Sequence, residues 1–326
     1  MTDGKPMVEV TNIRREFALP RHSLFAPPRR VVAVDGVSFS ISRGDTFGLV
    51  GESGSGKTTV ARMLLKLDLP SAGNVRFEGS DIFTQDRRQE RIYRRSVQAV
   101  LQDPYGALSQ RMQIGSIVAE PLRAQGLARG EALAAAGRML EAVGLGADTL
   151  NRYPHQFSGG QRQRIAVARA LSVEPKVLIL DEPVSALDVS VRAQILGLLR
   201  EMQQRLGLTY LFIGHDLAIV KYMSTHVGVM YFGRIVEIGP ASALFGRPLH
   251  PYTRKLVATA KGRQKLGEVR LTGEMPSPLA PPSGCHFRTR CAFAAERCAA
   301  EAPVLSELKT GHSVACHFAA ELPEPA

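Results

Sequence analysis

Short alternations and short apolar runs divide the chain into strands separated by stretches of helical period. Val8-Glu9-Val10-Thr11-Asn12-Ile13 repeats every second residue, as a half-buried strand does, and Val31-Val32-Ala33-Val34 reads as a second strand. The proline- and arginine-containing excursion over residues 19–30 predicts an inserted loop between them. Residues 46–50 form a strand-like run that enters a glycine-rich turn, and a helical pattern begins at Lys57, giving a β-loop-α arrangement. Residues 104–164 carry helical periodicity, clearest over 131–141, and predict a helical subdomain. Beyond it, strand 177–180, helix 191–205 and strand 209–213 alternate as a parallel α/β sheet requires.

The texture changes near residue 262. Met275-Pro276-Ser277-Pro278-Leu279-Ala280-Pro281-Pro282 is followed by all four cysteines, so we expect one domain over 1–261 and a small C-terminal module over 262–326. No internal repeat is visible, which argues for one unit and not two fused copies. With 326 residues, 44% of them hydrophobic, the chain can bury one large core plus an appendage. Apolar runs such as Lys176-Val177-Leu178-Ile179-Leu180 stop far short of the roughly 20 residues that cross a bilayer. The start Met1-Thr2-Asp3-Gly4-Lys5-Pro6 lacks a secretory pattern, so a cytoplasmic protein is expected.

A net charge of +11 points to an acidic partner: nucleic acid, an anionic membrane surface or a polyphosphate. The densest basic stretch, 86–95, has interspersed acids and a single aromatic, Tyr93, too few for a base-stacking platform, so it reads as a solvated face and no nucleic-acid partner is expected.

The polyphosphate finds its chemistry in Gly51-Glu52-Ser53-Gly54-Ser55-Gly56-Lys57-Thr58, with Thr59 next on the helix. Glycines allow successive backbone N–H groups to face a β-phosphate, and the helix start adds a positive dipole end. Lys57 would neutralise β- and γ-oxygens, and Thr58 would offer its hydroxyl to Mg²⁺. Val177-Leu178-Ile179-Leu180-Asp181-Glu182 is an apolar strand ending in two carboxylates. There Asp181 would hold Mg²⁺ and Glu182 would polarise the attacking water. Phe157-Ser158-Gly159-Gly160-Gln161 opens a second helix whose start can grip a phosphate.

That pentapeptide resembles the signature of ABC ATPases, with Phe157 where leucine is usual. The resemblance implies an ABC nucleotide-binding domain: a RecA-like P-loop core with an antiparallel β subdomain and a helical subdomain. It implies ATP hydrolysis in a dimer, with Ser158, Gly159, Gly160 and Gln161 of one subunit closing over ATP held by the partner. It also implies that Gln102 contacts Mg²⁺, that Ser185-Ala186-Leu187-Asp188 is the D-loop, that His215 contacts the γ-phosphate, and that Phe17 stacks on adenine.

Gln102-Asp103-Pro104-Tyr105, Arg152-Tyr153-Pro154-His155-Gln156-Phe157-Ser158, Asp181 to Ser190 and Tyr231-Phe232-Gly233-Arg234-Ile235-Val236-Glu237 are similar to the oligopeptide/dipeptide branch, much of whose pattern nickel importers share. The Arg-Tyr-Pro stretch and the N-terminal insertion look like the second ATPase subunit of such importers. This implies a heterodimer with a homologous ATPase, two transmembrane permease subunits, an extracytoplasmic binding protein and a place on the cytoplasmic face of the inner membrane. Gly214 and Ser109-Gln110 depart mildly from the family pattern.

Cys285, Cys291, Cys298 and Cys316 crowd into one segment, which in a reducing compartment favours a thiolate-held metal over disulfides. Zinc or an iron–sulfur cluster would each accept four sulfurs. The segment resembles the C-terminal region of peptide-permease ATPases, and that resemblance implies a [4Fe-4S] cluster, with His286, His312 and His317 outside the ligand set.

Overall fold

A computed structural model describes residues 5–19, 30–102, 106, 108–260 and 276–323. Most of the 19–30 excursion, residues 103–105 and the expected domain boundary at 262 lie outside the described residues.

In chain order the strands and helices are β1 (Val8–Ala18), β2 (Arg30–Ile41), β3 (Thr46–Val50), α1 (Lys57–Leu64), β4 (Ala72–Phe77), β5 (Ser80–Asp81), α2 (Arg87–Ser96) and β6 (Val97–Val100). Then come α3 (Ile114–Ala124), α4 (Arg129–Ala142), α5 (Gly159–Leu171), β7 (Val177–Asp181), α6 (Val189–Leu206), β8 (Thr209–Gly214), α7 (Leu217–Met223), β9 (His226–Tyr231) and β10 (Arg234–Pro240). The last are α8 (Ala241–Gly246), α9 (Pro251–Ala260), α10 (Glu296–Ala300), β11 (Ser306–Lys309) and β12 (His312–Val314).

The chain divides into two compact units. One holds Ser42–Asp45 and Thr84–Phe212. Its strands β6 and β7 pair in parallel, Val97 opposite Val177 through Val100 opposite Leu180. Every residue of β7 is buried, as expected of a strand covered on both faces, which is why its sequence is a continuous apolar run and not an alternation. Helices α3, α4 and α5 bury Ile117, Val118, Ala132, Leu140, Ile165 and Val167, and form the helical layer that the periodicity predicts. The basic stretch is α2, capped by Asp86: its side chain accepts from Gln89 N–H at 2.8 Å while the Gln89 amide oxygen accepts from Asp86 N–H at 3.1 Å. Only Tyr93 and Ser96 of that helix are buried, so its arginines are largely solvated, as the sequence suggests.

The other unit holds Lys5–Ile41, Thr46–Phe83 and Ile213–Ala326. A four-stranded antiparallel sheet runs in the order β2-β1-β4-β5. Its first two strands extend beyond the sequence reading, because Phe17 still pairs with Val31 and Ala18 with Arg30. The β1 ladder is irregular around Asn12, whose φ of 47° bends the strand. A second sheet orders β11-β12-β10-β9-β3, with β3 and β9 parallel and β9, β10 and β12 antiparallel. The cysteine segment is therefore tied to this unit by backbone pairing: Val314 lies opposite Glu237 and Ser313 opposite Ile238. Glu237 is fully buried there and accepts from Leu249 N–H, His250 N–H and His312 Nε2 at 2.7–2.8 Å, so its carboxylate is satisfied on three sides.

Candidate functional site

The phosphate cradle belongs to the second unit. Strand β3 is buried along its whole length and delivers the chain to Gly51, and α1 starts six residues later. Gly56 caps that helix at φ 105°, a conformation that a side chain opposes, and a Cβ there would stand 2.3 Å from the Ala33 carbonyl oxygen. Lys57 folds back over the turn. Its Nζ donates to Gly51 O at 2.8 Å, Glu52 O at 2.9 Å and Ser55 Oγ at 3.3 Å, so the ammonium sits inside the ring of backbone that would wrap a phosphate. Lys57 is buried, whereas Ser53, Gly54 and Thr58 face solvent at the mouth of the cradle and Thr59 is half-buried. Thr58 stands in the first turn of α1.

The acids lie in the first unit. Asp181 closes β7 and is buried. Glu182 follows with φ 49°, a left-handed conformation rare for a residue with a side chain and costing about 1–3 kcal/mol. The turn is held by Ser185, whose N–H and hydroxyl both donate to the Glu182 carbonyl at 3.2 and 3.1 Å. Gln102 sits just past β6 and donates its amide N–H to Glu182 Oε2 at 3.0 Å, so the structure joins two predicted site residues that are 80 positions apart in sequence.

Arg192, which the sequence reading passed over, grips the loop from α6: Nε donates to Leu187 O at 2.6 Å and Nη2 to Ser185 O at 3.3 Å. Asp188 is exposed at the N-terminal cap position of α6, without a side-chain cap bond.

Ser158 caps α5, accepting from Gln161 N–H at 3.3 Å while the Gln161 amide oxygen accepts from Ser158 N–H at 3.0 Å. This reciprocal pair presents an exposed hydroxyl beside the helix start. Gly160 is required by packing, since a Cβ would meet Val191 Cγ1 at 2.4 Å. In the second unit, His215 is exposed between β8 and α7, which Asp216 caps through Ala218 and Ile219 N–H. Phe17 is half-buried on β1 with the Arg15 guanidinium 4.7 Å from its ring centre.

The four thiols are free, Cys298 buried and the others half-buried. Burial, and then the charge of neighbouring thiols, push the Cys285 and Cys291 thiols up from their ordinary range, and Cys316 up to about 11. Cys316 feels Cys291, Cys285 and Cys298, so the four share one electrostatic neighbourhood. Phe293 N–H donates to Cys291 Sγ at 3.4 Å. Among the described residues no group of three or more His, Cys, Asp or Glu is gathered closely enough to hold a metal ion. No helix among them is long and apolar enough to cross a membrane.

Fold and motifs together define a nucleotide-binding domain of the ABC class. Residues 34–185 match the ABC transporter family, and residues 236–298 match the C-terminal region of oligopeptide/dipeptide transporters, a match that begins well before the compositional change near 262. A Brucella ovis ATP-binding protein named for peptide import is 52% identical over 287 residues, covering 87% of this chain and 90% of that protein. The dipeptide transport ATP-binding protein DppF of Haemophilus influenzae is 43% identical over 318 residues, 96% and 97% of the two chains. YkfD of Bacillus subtilis, named for oligopeptide transport, is 44% identical over 320 residues, 96% and 95% of the two chains.

Among solved structures, cbiO1 of Clostridium perfringens, part of an ABC transporter complex, superposes with a TM-score of 0.63 at 28% identity, covering 79% of this chain and 96% of that one. A dimeric ATP-binding cassette in a post-hydrolysis state with ADP and Pi gives 0.63 at 25% identity, covering 72% and 99%. The chain belongs to the ATP-binding subunits of the ABC transporter family, which hydrolyse ATP.

Proposed function

We propose that this chain is the ATP-hydrolysing subunit of an importer for di- or oligopeptides, acting from the cytoplasmic face of the membrane. The observation that carries it is the cradle of Gly51 to Thr58, with Lys57 folded onto its own loop carbonyls and Thr58 open at the helix start. Similarity to peptide-import relatives over nearly the whole chain supports the cargo class.

In this reading, backbone amides of Ser53 to Lys57 and the start of α1 bind the phosphates, and Lys57 offsets their charge. Thr58, Asp181 and Gln102 are hard oxygen donors of the kind Mg²⁺ takes, and would hold it. Held there, Mg²⁺ would supply Lewis-acid stabilisation of the phosphate charge. Glu182 orients water and accepts its proton, Gln102 steadies the carboxylate through its amide, and His215 contacts the γ-phosphate. Phe17 is the adenine-stacking candidate. The Ser158 hydroxyl and the Gly159 and Gly160 amides of a neighbouring homologous ATPase, in a heterodimer, complete the phosphate shell, while exposed Asp188 faces that neighbour. Closure on ATP and reopening after hydrolysis would move two transmembrane permease subunits, supplied with cargo by an extracytoplasmic binding protein.

The segment from 262 would be a small C-terminal module, joined to the second unit through the pairing of β10 with β12. The resemblance of this segment to peptide-permease ATPases favours a [4Fe-4S] cluster held by Cys285, Cys291, Cys298 and Cys316, although among the described residues the thiols are not gathered closely enough to hold a metal ion. Anaerobically purified protein should contain about four irons per chain and be brown; colourless protein with stoichiometric zinc overturns that assignment. For the function, the chain should be assembled with its membrane partners in proteoliposomes. Peptide-loaded binding protein should raise ATP hydrolysis, whereas stimulation by nickel instead of peptide would refute the cargo.

A further inference from the structure

The cradle contains an acid. Glu52 is the second residue of a loop built to hold polyphosphate, and a bare carboxylate there would repel its ligand. Arg290, from the cysteine segment 238 positions away, answers it with two prongs: Nη1 to Oε2 at 2.9 Å and Nη2 to Oε1 at 3.2 Å. The guanidinium is only 6% exposed, and Glu52 is 23% exposed.

The rest of Glu52 is equally committed. Its N–H donates to Tyr252 Oη at 2.9 Å, and its carbonyl accepts from Lys57 Nζ at 2.9 Å and Ser55 N–H at 3.2 Å. Arg290 is itself braced. Its carbonyl accepts from buried Lys255 Nζ at 2.9 Å, its guanidinium lies 5.8 Å from the Tyr231 ring centre, and Tyr231, Tyr252 and Phe287 pack ring to ring at 4.7–5.4 Å. Cys291 follows Arg290 directly, so the cysteine segment is what delivers this cation to the cradle.

We propose that Arg290 is a positioning residue for nucleotide: it cancels the Glu52 charge and pins that carboxylate away from the phosphates, so the cysteine segment sets the charge of the phosphate loop. This rests on the ATPase reading above. A two-pronged pair is geometrically demanding, and an arginine supplies both prongs where a lysine cannot. Because Glu52 keeps part of its side chain at the surface, removing Arg290 frees a charged carboxylate beside the cradle without burying it unpaired.

The test is equilibrium binding of MgADP to the full chain, for wild type, R290M, E52Q and the double variant, at two salt concentrations, with thermal unfolding recorded for each. Expected is at least a tenfold loss of affinity in R290M, recovery to within about threefold of wild type in R290M/E52Q, and E52Q alone binding no more weakly than wild type. A merely structural brace gives the opposite, with the double variant as weak as R290M or weaker. That outcome, or wild-type affinity in R290M, overturns the proposal. If R290M fails to fold, E52Q decides: a tenfold loss there refutes charge cancellation. Wild-type protein that does not bind MgADP, or a K57A variant that binds as well as wild type, would sink the ATPase reading instead.

Discussion

The side-chain amide of Gln102 donates to Glu182 Oε2 at 3.0 Å, joining the residue two positions past β6 to the left-handed residue that follows its parallel neighbour β7. The contact ties one carboxylate oxygen of the proposed base to the Gln102 amide. Glu182→Gln should therefore keep MgATP binding while steady-state phosphate release in the assembled complex falls by about 100-fold or more, the range of a lost general base. Gln102→Ala removes only the steadying bond and should cost about tenfold. Near-normal release in the glutamine variant would remove Glu182 from the base position.

Gly56 caps α1 at φ 105° with the Ala33 carbonyl 2.3 Å from where a Cβ would stand. Gly56→Ala should lower folding stability by about 2 kcal/mol or more, from strain plus backbone clash. Denaturant melts of the two proteins check this, and an unchanged midpoint would contradict the cradle geometry.

Ser158 closes a reciprocal cap on α5, so Ser158→Ala should cost only about 1 kcal/mol of stability. Ser158→Arg would put a bulky cation where a neighbour's phosphate is proposed to sit. Its expected signature is intact MgADP binding by the lone chain with hydrolysis lost in the dimer. Loss of binding by the lone chain would place Ser158 in its own subunit's site.

His250 is wholly buried, and burial holds its imidazole down to about pKa 4 despite the opposing pull of Glu237. Its Nδ1 accepts from Tyr252 N–H at 3.0 Å, a bond only the neutral ring can make. In the unfolded chain the ring titrates near pH 6.5, so between about 6.5 and 4 the unfolded state binds more protons. Stability should be full above pH 6.5 and decline as pH falls toward 4. Urea melts across that range, compared with His250→Gln, should show a shallower decline in the variant; identical slopes would exclude His250 as the source.

Local patterns carried most of the architecture. The apolar run 177–180 and the run 46–50 both became buried strands, and the 131–141 period became α4. The strand spanning Val31 to Val34 in the sequence reading extends from Arg30 to Ile41, because its partner β1 keeps pairing with it on both sides of an irregular ladder. A ladder is a property of two strands, and one strand's alternation does not show where the other stops.

The sequence by itself determined the glycine-rich turn before α1, the two acids at the end of β7 and the Ser158-capped helix, since each is a contiguous pattern that depends on neighbours along the chain. Only the tertiary structure decided that Arg290 neutralises Glu52, that Tyr252 holds its amide and that Gln102 reaches Glu182, across separations of 238, 200 and 80 residues. Hydrogen bonds and ion pairs of that kind depend on where folding brings the backbone, and no local periodicity encodes a partner that far away.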